Sequence, residues 1–483
     1  MKRLLLWFVY VLCLAQPGWG DKLHLSDVLR ELESFHPKMR AAQLLPRLAA
    51  AKVLEKEGAF DPQLFLEQEW LRYQSPTAPG KAKFANDNVL GLEIQDLDGW
   101  KLRSGYRLNR GDVKSPDSLT GQGGELFVEF KMPLLRKWQV NEKRTALEQA
   151  RVATRLAEGA AQLIRLELFM TTSLAYWEWC AACTNMRLTE RNWKLASERA
   201  EQVEKRSKAG DLAPIDSIEA RQEAVRRWEG VLKARRDAQK AALKLSLYRW
   251  LKDFRSADPP AFELAITLLP SELGPSLLGS AEGEECVPPS QTPKAEDLAR
   301  WELESLQNRP ELGQIEFEKT IISLDKSLAE NDRLPILDLT LSPGLDLGSK
   351  SIGVTYKAGL QLTIPLATRG PDGRLQAASL KSDKLELDQA LEVRRIVTEV
   401  RDAFSLVELG HARAETALQS LRLAQKLEEA ERIKFQFGDS TLFLVNQRER
   451  ATLTEAQKVI ETLLDYERGL VMAQAAKGRF DHP

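Results

Sequence analysis

Histidine and cysteine are scarce in this chain, with four of each in 483 residues. His24, His36, His411 and His482 do not cluster with cysteine or acidic residues at ligand spacing, so no metal centre and no partnered catalytic histidine is expected. No glycine-rich phosphate loop follows a strand. These absences argue against an enzyme and against a bound cofactor. A charge bias is missing too: 69 basic residues face 70 acidic ones, which gives no reason to expect a nucleic acid partner. Past the first twenty residues there is no run of eighteen apolar residues, hence no expected transmembrane helix. Aromatic residues make up only 7 % of the chain and charged residues 29 %, a mix that suits long solvated helices better than a thick globular core.

Residues 1–20 read as a secretory signal: Lys2 and Arg3 supply positive charge, Leu4 to Leu14 an apolar run too short to span a bilayer, and Gly18 and Gly20 small residues before a cut ahead of Asp21. Cys13 invites a lipoprotein reading, but the large Leu12 precedes it. Cys180, Cys183 and Cys286 then remain, an odd count that suggests no disulfide scaffold. Cys180 and Cys183 have redox or metal spacing, yet they lie mid-helix with no second ligand pair nearby. Two small residues on one packed helical face is the expectation.

In chain order, helices are expected at about 26–35 and 38–58, punctuated by Pro37, Gly58 and Pro62. Residues 63–132 then alternate apolar and polar with period two, as in Leu64, Leu66, Leu102, Tyr106, Leu126 and Val128, and so read as strands. Asp98-Gly99 marks a hairpin turn; 75–80 and 112–124 read as exposed loops. From about 139 to 209 the pattern is helical, a length on the order of 100 Å at about 1.5 Å per residue. The stretch KAGDLAPID (208–216) ends that helix: Gly210 is a left-handed stop and Pro214 fits the first turn of a helix running to about Phe254. Residues 256–295 hold seven prolines and read as an irregular connector. Helices follow at 296–307 and up to about 332, strands at 335–364 and a long helix at 374–436. FGDSTLFL (437–444) is a second Gly-Asp turn with Ser440 and Thr441 as caps, before a last helix over 441–477.

The second half repeats the first. Pro37 to Pro310 and Pro62 to Pro335 are each 273 residues apart, and Gly210 to Gly438 are 228 apart. The expected organisation is therefore a signal peptide (1–20), a first repeat (21–255), a connector (256–295), a second repeat (296–478) and a tail (479–483). Each repeat has strands with one apolar face and no separate layer to cover it, which suits a membrane barrel with lipid on one side and water on the other. One strand pair per repeat gives about four strands per chain, with room for an extra hairpin in 63–132. Closed membrane barrels need roughly eight or more, so the chain must oligomerise. Trp70, Tyr73, Trp100, Tyr106 and Tyr356 read equally as a lipid-headgroup belt or as ordinary strand aromatics.

These residues resemble the TolC-like outer membrane efflux proteins. The resemblance rests on His36-Pro37 and Arg309-Pro310 with their helices, on FKMPLLRKWQVNEKR (130–144), on GLQLTIPLATRG (359–370), and on KAGDLAPIDSIEAR (208–221) echoed by FGDSTLFLVNQR (437–448). It implies an α+β membrane protein: a homotrimer whose twelve-strand outer-membrane β-barrel is continued by a periplasmic α-helical tunnel. Such a trimer serves as exit duct for an inner-membrane transporter joined through a periplasmic adaptor protein. It implies too that the turns are adaptor-docking tips, here Gly210, Asp211, Leu212, Ala213, Gly438, Asp439, Ser440, Thr441 and Leu442. Asp211, Asp216 and Asp439 read as helix caps or as an acidic constriction. His36, Arg309 and Met132 depart from the family's usual residues. The alternative is a soluble periplasmic coiled-coil scaffold or adaptor, which would not need two lipid-compatible strand regions.

Overall fold

A computed structural model describes residues 22–74, 80, 82–112, 119–269, 277, 292–348 and 352–480. The expected signal peptide with Cys13, the loop at 75–79, part of 112–124, the connector over 270–276 and 278–291 with Cys286, and residues 481–483 lie outside the described residues. The chain divides into two compact units that cut across the sequence repeats. A helical unit comprises Met1–Ala42, Ile164–Arg309 and Arg394–Pro483; a sheet unit comprises Gln43–Leu163 and Pro310–Val393.

The sheet unit holds six strands, β1 (Gln63–Gln74), β2 (Ala82–Gln95), β3 (Lys101–Gly111), β4 (Glu125–Pro133), β5 (Ile336–Leu347) and β6 (Ile352–Thr363). They pair in chain order as an antiparallel meander. The four-strand expectation is thus one hairpin short: residues 63–133 supply four strands, not two. β2 escapes notice because Asn86-Asp87-Asn88 and Gly91, all poor strand formers, interrupt its alternation. The turn at Asp98-Gly99 is present: Gly99 has φ 91° and its N–H donates to the Asp96 carbonyl at 3.1 Å.

The pairing register puts the period-two pattern of every strand in phase. One face carries Leu64 and Leu66, then Leu90, Leu92 and Ile94, then Leu102 and Tyr106, then Leu126 and Val128, then Leu339, Leu341 and Leu345, then Val354, Tyr356, Leu360 and Leu362. Much of it is open: Leu66 is 72 % exposed and Tyr356 80 %. The other face carries a ladder of charge. Arg103 bridges Glu67 on β1 at 2.7 Å and Glu93 on β2 at 3.3 Å, Arg107 bonds Glu125 at 3.3 Å, and Lys131 bonds Asp338 at 2.9 Å. The same arginines lie over Phe65 and Phe127, at 4.2 and 4.6 Å from the ring centres, where a guanidinium meets the negative ring face. Of the expected belt aromatics, Trp70, Tyr106 and Tyr356 lie on the apolar face. Tyr73 lies on the charged one, and Trp100 sits at the β2–β3 turn against Phe130.

The strand ends are staggered. A single row of paired residues runs Phe65, Gly91, Gly105, Phe127, Gly344, Thr355. Phe65 is two residues from the start of β1, whereas Thr355 is eight from the end of β6. With a rise of about 3.3 Å per residue and strands about 4.8 Å apart, this six-residue offset over five steps corresponds to a tilt of about 40°. Barrel strands tilt by about 35–45°.

Below the sheet, Asp332 joins the connectors to the long helices. It is 2 % exposed and accepts hydrogen bonds from Arg136 at 2.8 and 3.1 Å and from Arg374 at 2.7 Å. Its neighbour Asn331 accepts from the Lys137 N–H at 2.8 Å, fixing a connector in which Lys137 and Gln139 both have positive φ. Such backbone persists only where surrounding bonds over-determine it. Arg136 precedes helix α3 (Glu142–Lys208), and Arg374 lies in the first turns of a second long helix (Arg369–Gln436).

The helices in order are α1 (Leu25–Phe35), α2 (Pro37–Glu57), α3, α4 (Pro214–Ser246), α5 (Ala295–Asn308), α6 (Pro310–Asn331), α7 (Arg369–Gln436) and α8 (Leu442–Ala476). α4 ends at Ser246, short of Phe254. In the helical unit, alanines let α3, α4, α7 and α8 approach closely. Ala175, Ala234, Ala238, Ala242, Ala414 and Ala456 share one buried cluster with Tyr176, Trp179 and Leu245. Cys180 and Cys183 belong to it and are fully buried; burial pushes both thiols up to about 12, so they stay protonated and act as small apolar side chains.

The connector is not irregular throughout. Ala265, Leu268 and Leu269 enter that core. Arg187 donates to the carbonyls of Phe262 and Ala265, and the Leu268 N–H donates to the Thr184 hydroxyl.

Candidate functional site

The two Gly-Asp turns are the same hydrogen-bonded object. Gly210 has φ 88° and Gly438 φ 84°. The Gly210 N–H donates to Ser207 O at 3.1 Å and the Asp211 N–H to Arg206 O at 2.9 Å; the Gly438 N–H donates to Phe435 O at 3.2 Å and the Asp439 N–H to Lys434 O at 2.9 Å. This is the Schellman arrangement, in which a left-handed residue returns two N–H groups to the last carbonyls of the helix. Nothing lies within 4 Å of a Cβ built on either glycine, so the backbone angle alone demands glycine here. The next helices start differently. α4 has Pro214 in its first turn after Ala213, whereas the Thr441 hydroxyl accepts from the Leu444 N–H and caps α8. Ser440 does not cap α8; its hydroxyl donates to Glu431 at 2.5 Å.

The expected tip residues divide by exposure. Gly210, Asp211, Ala213, Gly438, Asp439 and Thr441 are exposed. Leu442 is buried in a small core with Val203 and Ala220, against which Leu212 packs half-buried. Leu212 and Leu442 therefore tie the two turns to each other rather than standing out from them. Apolar surface is offered instead by Ile215, Ile218, Phe437 and Phe443, each more than half exposed. The neighbours of Leu212 and Leu442 in sequence are polar, but in the fold each turn covers the other's apolar residue.

Behind the tips lies a buried ionic clasp that sequence reading missed. Glu449 of α8 is 4 % exposed. It pairs with Arg199 of α3 through both carboxylate oxygens, with Arg227 of α4 at 3.0 Å and with Arg432 of α7 at 2.9 Å. Glu223 of α4, equally buried, accepts from Arg227 at 2.8 Å and from Arg450 of α8 at 2.5 Å. Four helices from both repeats thus meet on two carboxylates. Burial alone would raise the Glu449 carboxyl, but the bonds and charge of Arg199, with Arg227 and Arg432, outweigh it and hold it at about 2. Glu223 is likewise lowered, against burial, by Arg450 and Arg227. Both stay ionised at neutral pH, and in a water-poor setting such satisfied networks fix one packing. The clasp can hold the tip helices in one arrangement. Among the described residues no group of three or more histidine, cysteine or acidic side chains could hold a metal, and no helix is long and apolar enough to cross a membrane.

Residues 303–475 match the outer membrane efflux protein family. No curated protein matches by sequence. Among solved structures, the outer-membrane channel OprN is 16 % identical with a TM-score of 0.65, over 95 % of this chain and 91 % of that one. The Campylobacter jejuni CmeC outer membrane channel is 14 % identical with a TM-score of 0.64, over 94 % and 85 %. The open state of the Neisseria gonorrhoeae MtrE outer membrane channel is 15 % identical with a TM-score of 0.63, over 96 % and 91 %. At these identities the structural likeness speaks for the fold, and the sequence match over the second half speaks for the family. Residues 303–475 thus resemble the outer membrane efflux protein family in sequence, and the chain shares the fold of these outer-membrane channels.

Proposed function

We propose that this chain forms the outer-membrane exit duct of a tripartite efflux or type I secretion system, with passive passage and no chemistry of its own. Substrates would arrive from an inner-membrane transporter through a periplasmic adaptor, and three copies would make the duct. The observation that carries this reading is the six-strand sheet with an exposed apolar face and a charged face, since a sheet of that kind needs lipid on one side and water on the other. Exposed leucines support contact with further copies: Leu48 and Leu54 on α2, and Leu387 and Leu391 on α7, all lie in the sheet unit. In this reading 1–20 is a signal peptide, 21–255 and 296–478 are two repeats, and the helices continue the barrel as a periplasmic tunnel.

Membrane extraction separates the duct from a soluble periplasmic scaffold. The protein is expected to stay with outer membranes through a high-salt wash and to leave only with detergent. Release by salt would sink the duct reading.

The turns around Gly210, Asp211, Leu212, Ala213 and Gly438, Asp439, Ser440, Thr441, Leu442 are proposed as the adaptor-docking tips. Because Leu442 is buried, its replacement by aspartate would report tip folding rather than docking. The informative variant is Ile218→Asp with Phe443→Asp. It is expected to lose co-purification of the adaptor while remaining oligomeric; unchanged co-purification and export would remove the docking assignment.

A further inference from the structure

The sheet is too wide for the twelve-strand barrel that three four-strand chains would make. We propose that the β1–β2 hairpin is part of the barrel wall, and that three copies close an eighteen-strand barrel by pairing β6 of each copy with β1 of the next. This rests on the reading that the chain is a trimeric membrane duct.

Four observations carry it. First, β3 is paired along its whole length with β2 on one side and over Lys101–Arg107 with β4 on the other. Its edge is unavailable to a neighbour, and the free edges are those of β1 and β6. Six strands cannot close by themselves, since closed barrels need roughly eight.

Second, the two free edges match. Both strands have 12 residues. β1 runs away from its helix and β6 runs back toward one, so neighbours meet antiparallel. Laid flush, Gln63 to Thr363, they place Leu64 opposite Leu362, Leu66 opposite Leu360 and Trp70 opposite Tyr356 on the apolar face. On the charged face the same register sets Glu69 opposite Lys357, and both are exposed. Opposite charges and aromatic pairs directly across a strand pair are favourable. A one-residue slip would break the match on both faces.

Third, the stagger described above gives the tilt of a closed barrel, and flush pairing adds no further offset. At about 4.8 Å per strand and a tilt of about 35–40°, eighteen strands make a backbone cylinder about 34 Å across, against about 22 Å for twelve.

Fourth, the apolar face extends onto the hairpin through Leu64, Leu66, Leu90, Leu92 and Ile94. Gln68, Asn86 and Asn88 interrupt it farther along. The Asn88 amide is satisfied locally, donating to Asn86 Oδ1 at 3.1 Å and to Leu108 O at 3.3 Å.

Cysteine cross-linking tests this in full-length protein in outer membranes, with Cys286 replaced by serine. Two neighbouring pairs are used, Glu69→Cys with Lys357→Cys and Gln68→Cys with Ala358→Cys, because successive antiparallel positions alternate between wide and close pairing. At least one pair is expected to give a disulfide-linked trimer on a denaturing, non-reducing gel, absent from each single variant. The competing pair is Arg107→Cys on β3 with Lys357→Cys. Linkage there, with both β1 pairs silent in an intact trimer, would overturn the eighteen-strand wall and leave the duct standing. A protein that is neither trimeric nor membrane-bound would overturn both.

Discussion

Replacing Glu449 by alanine is expected to loosen the tip helices by about 3–5 kcal/mol, because removing one partner of a buried ion pair leaves the others uncompensated. Arg199, Arg227 and Arg432, from three different helices, all bond this carboxylate. The effect should be local and read best by amide hydrogen exchange. Protection in the last turns of α3 and α7 should fall about a hundredfold or more, at roughly tenfold per 1.4 kcal/mol, while protection in the sheet is retained. Glu449→Gln keeps the shape and removes the charge, and most of the loss should follow it. Wild-type protection in both variants would show that the clasp is dispensable. Acid gives the same test without mutation. The Glu449 carboxyl lies at about 2 in the fold against an ordinary 4.5. The stability it contributes is therefore fully present above about pH 4.5 and is lost as pH falls from there through about 2. Tip protection should decline over that window in the wild type and decline less in Glu449→Gln, where only Glu223 of the two clasp carboxylates is left to titrate.

The second large effect is expected at Asp332. Its carboxylate receives Arg136 and Arg374, one from the entry to each long helix, and it is 2 % exposed. Asp332→Ala leaves the largely buried Arg136 guanidinium without its partner, while Arg374, 60 % exposed, returns to water, and should cost about 3 kcal/mol by the same reasoning. The connector it braces contains Lys137 and Gln139 at positive φ, so the change should release that backbone as well. The expected readout is faster proteolysis within 134–141 and a lower yield of assembled protein in outer membranes. A variant with wild-type protease resistance and assembly would show that the junction holds without Asp332. Asp332→Asn should be intermediate, since its amide oxygen still accepts one bond.

Local chemistry was legible in the sequence wherever one residue sufficed to state it. Gly210 and Gly438 announce two helix stops because only a left-handed residue closes a helix that way, and the structure shows the same pair of backbone bonds at each. Alternation in Leu64–Leu66, Leu126–Val128 and Leu360–Leu362 announces strands with a single apolar face. β2 was not legible, since Asn86, Asp87, Asn88 and Gly91 disfavour a strand locally and are held there only by partners on both sides. The clasp was not legible either. On a charged helix Glu449 looks like any solvated residue, and its partners Arg199 and Arg227 are 250 and 222 positions away. The burial of Leu442 is not legible for the same reason: it is covered by Val203 and Ala220, from the other hairpin. The connector looked irregular because its prolines say nothing of Ala265 or Leu268, which Arg187 and Thr184 seat in the core.

The central claim is that this chain builds a water-filled passage through an outer membrane. Electrical recording from the purified, detergent-extracted protein in a planar lipid bilayer tests it most directly. Stable, discrete conductance steps from a trimeric species, with none from protein denatured beforehand, are the predicted result. Protein that is trimeric and folded yet never inserts, leaving the bilayer at its baseline current, would contradict the account.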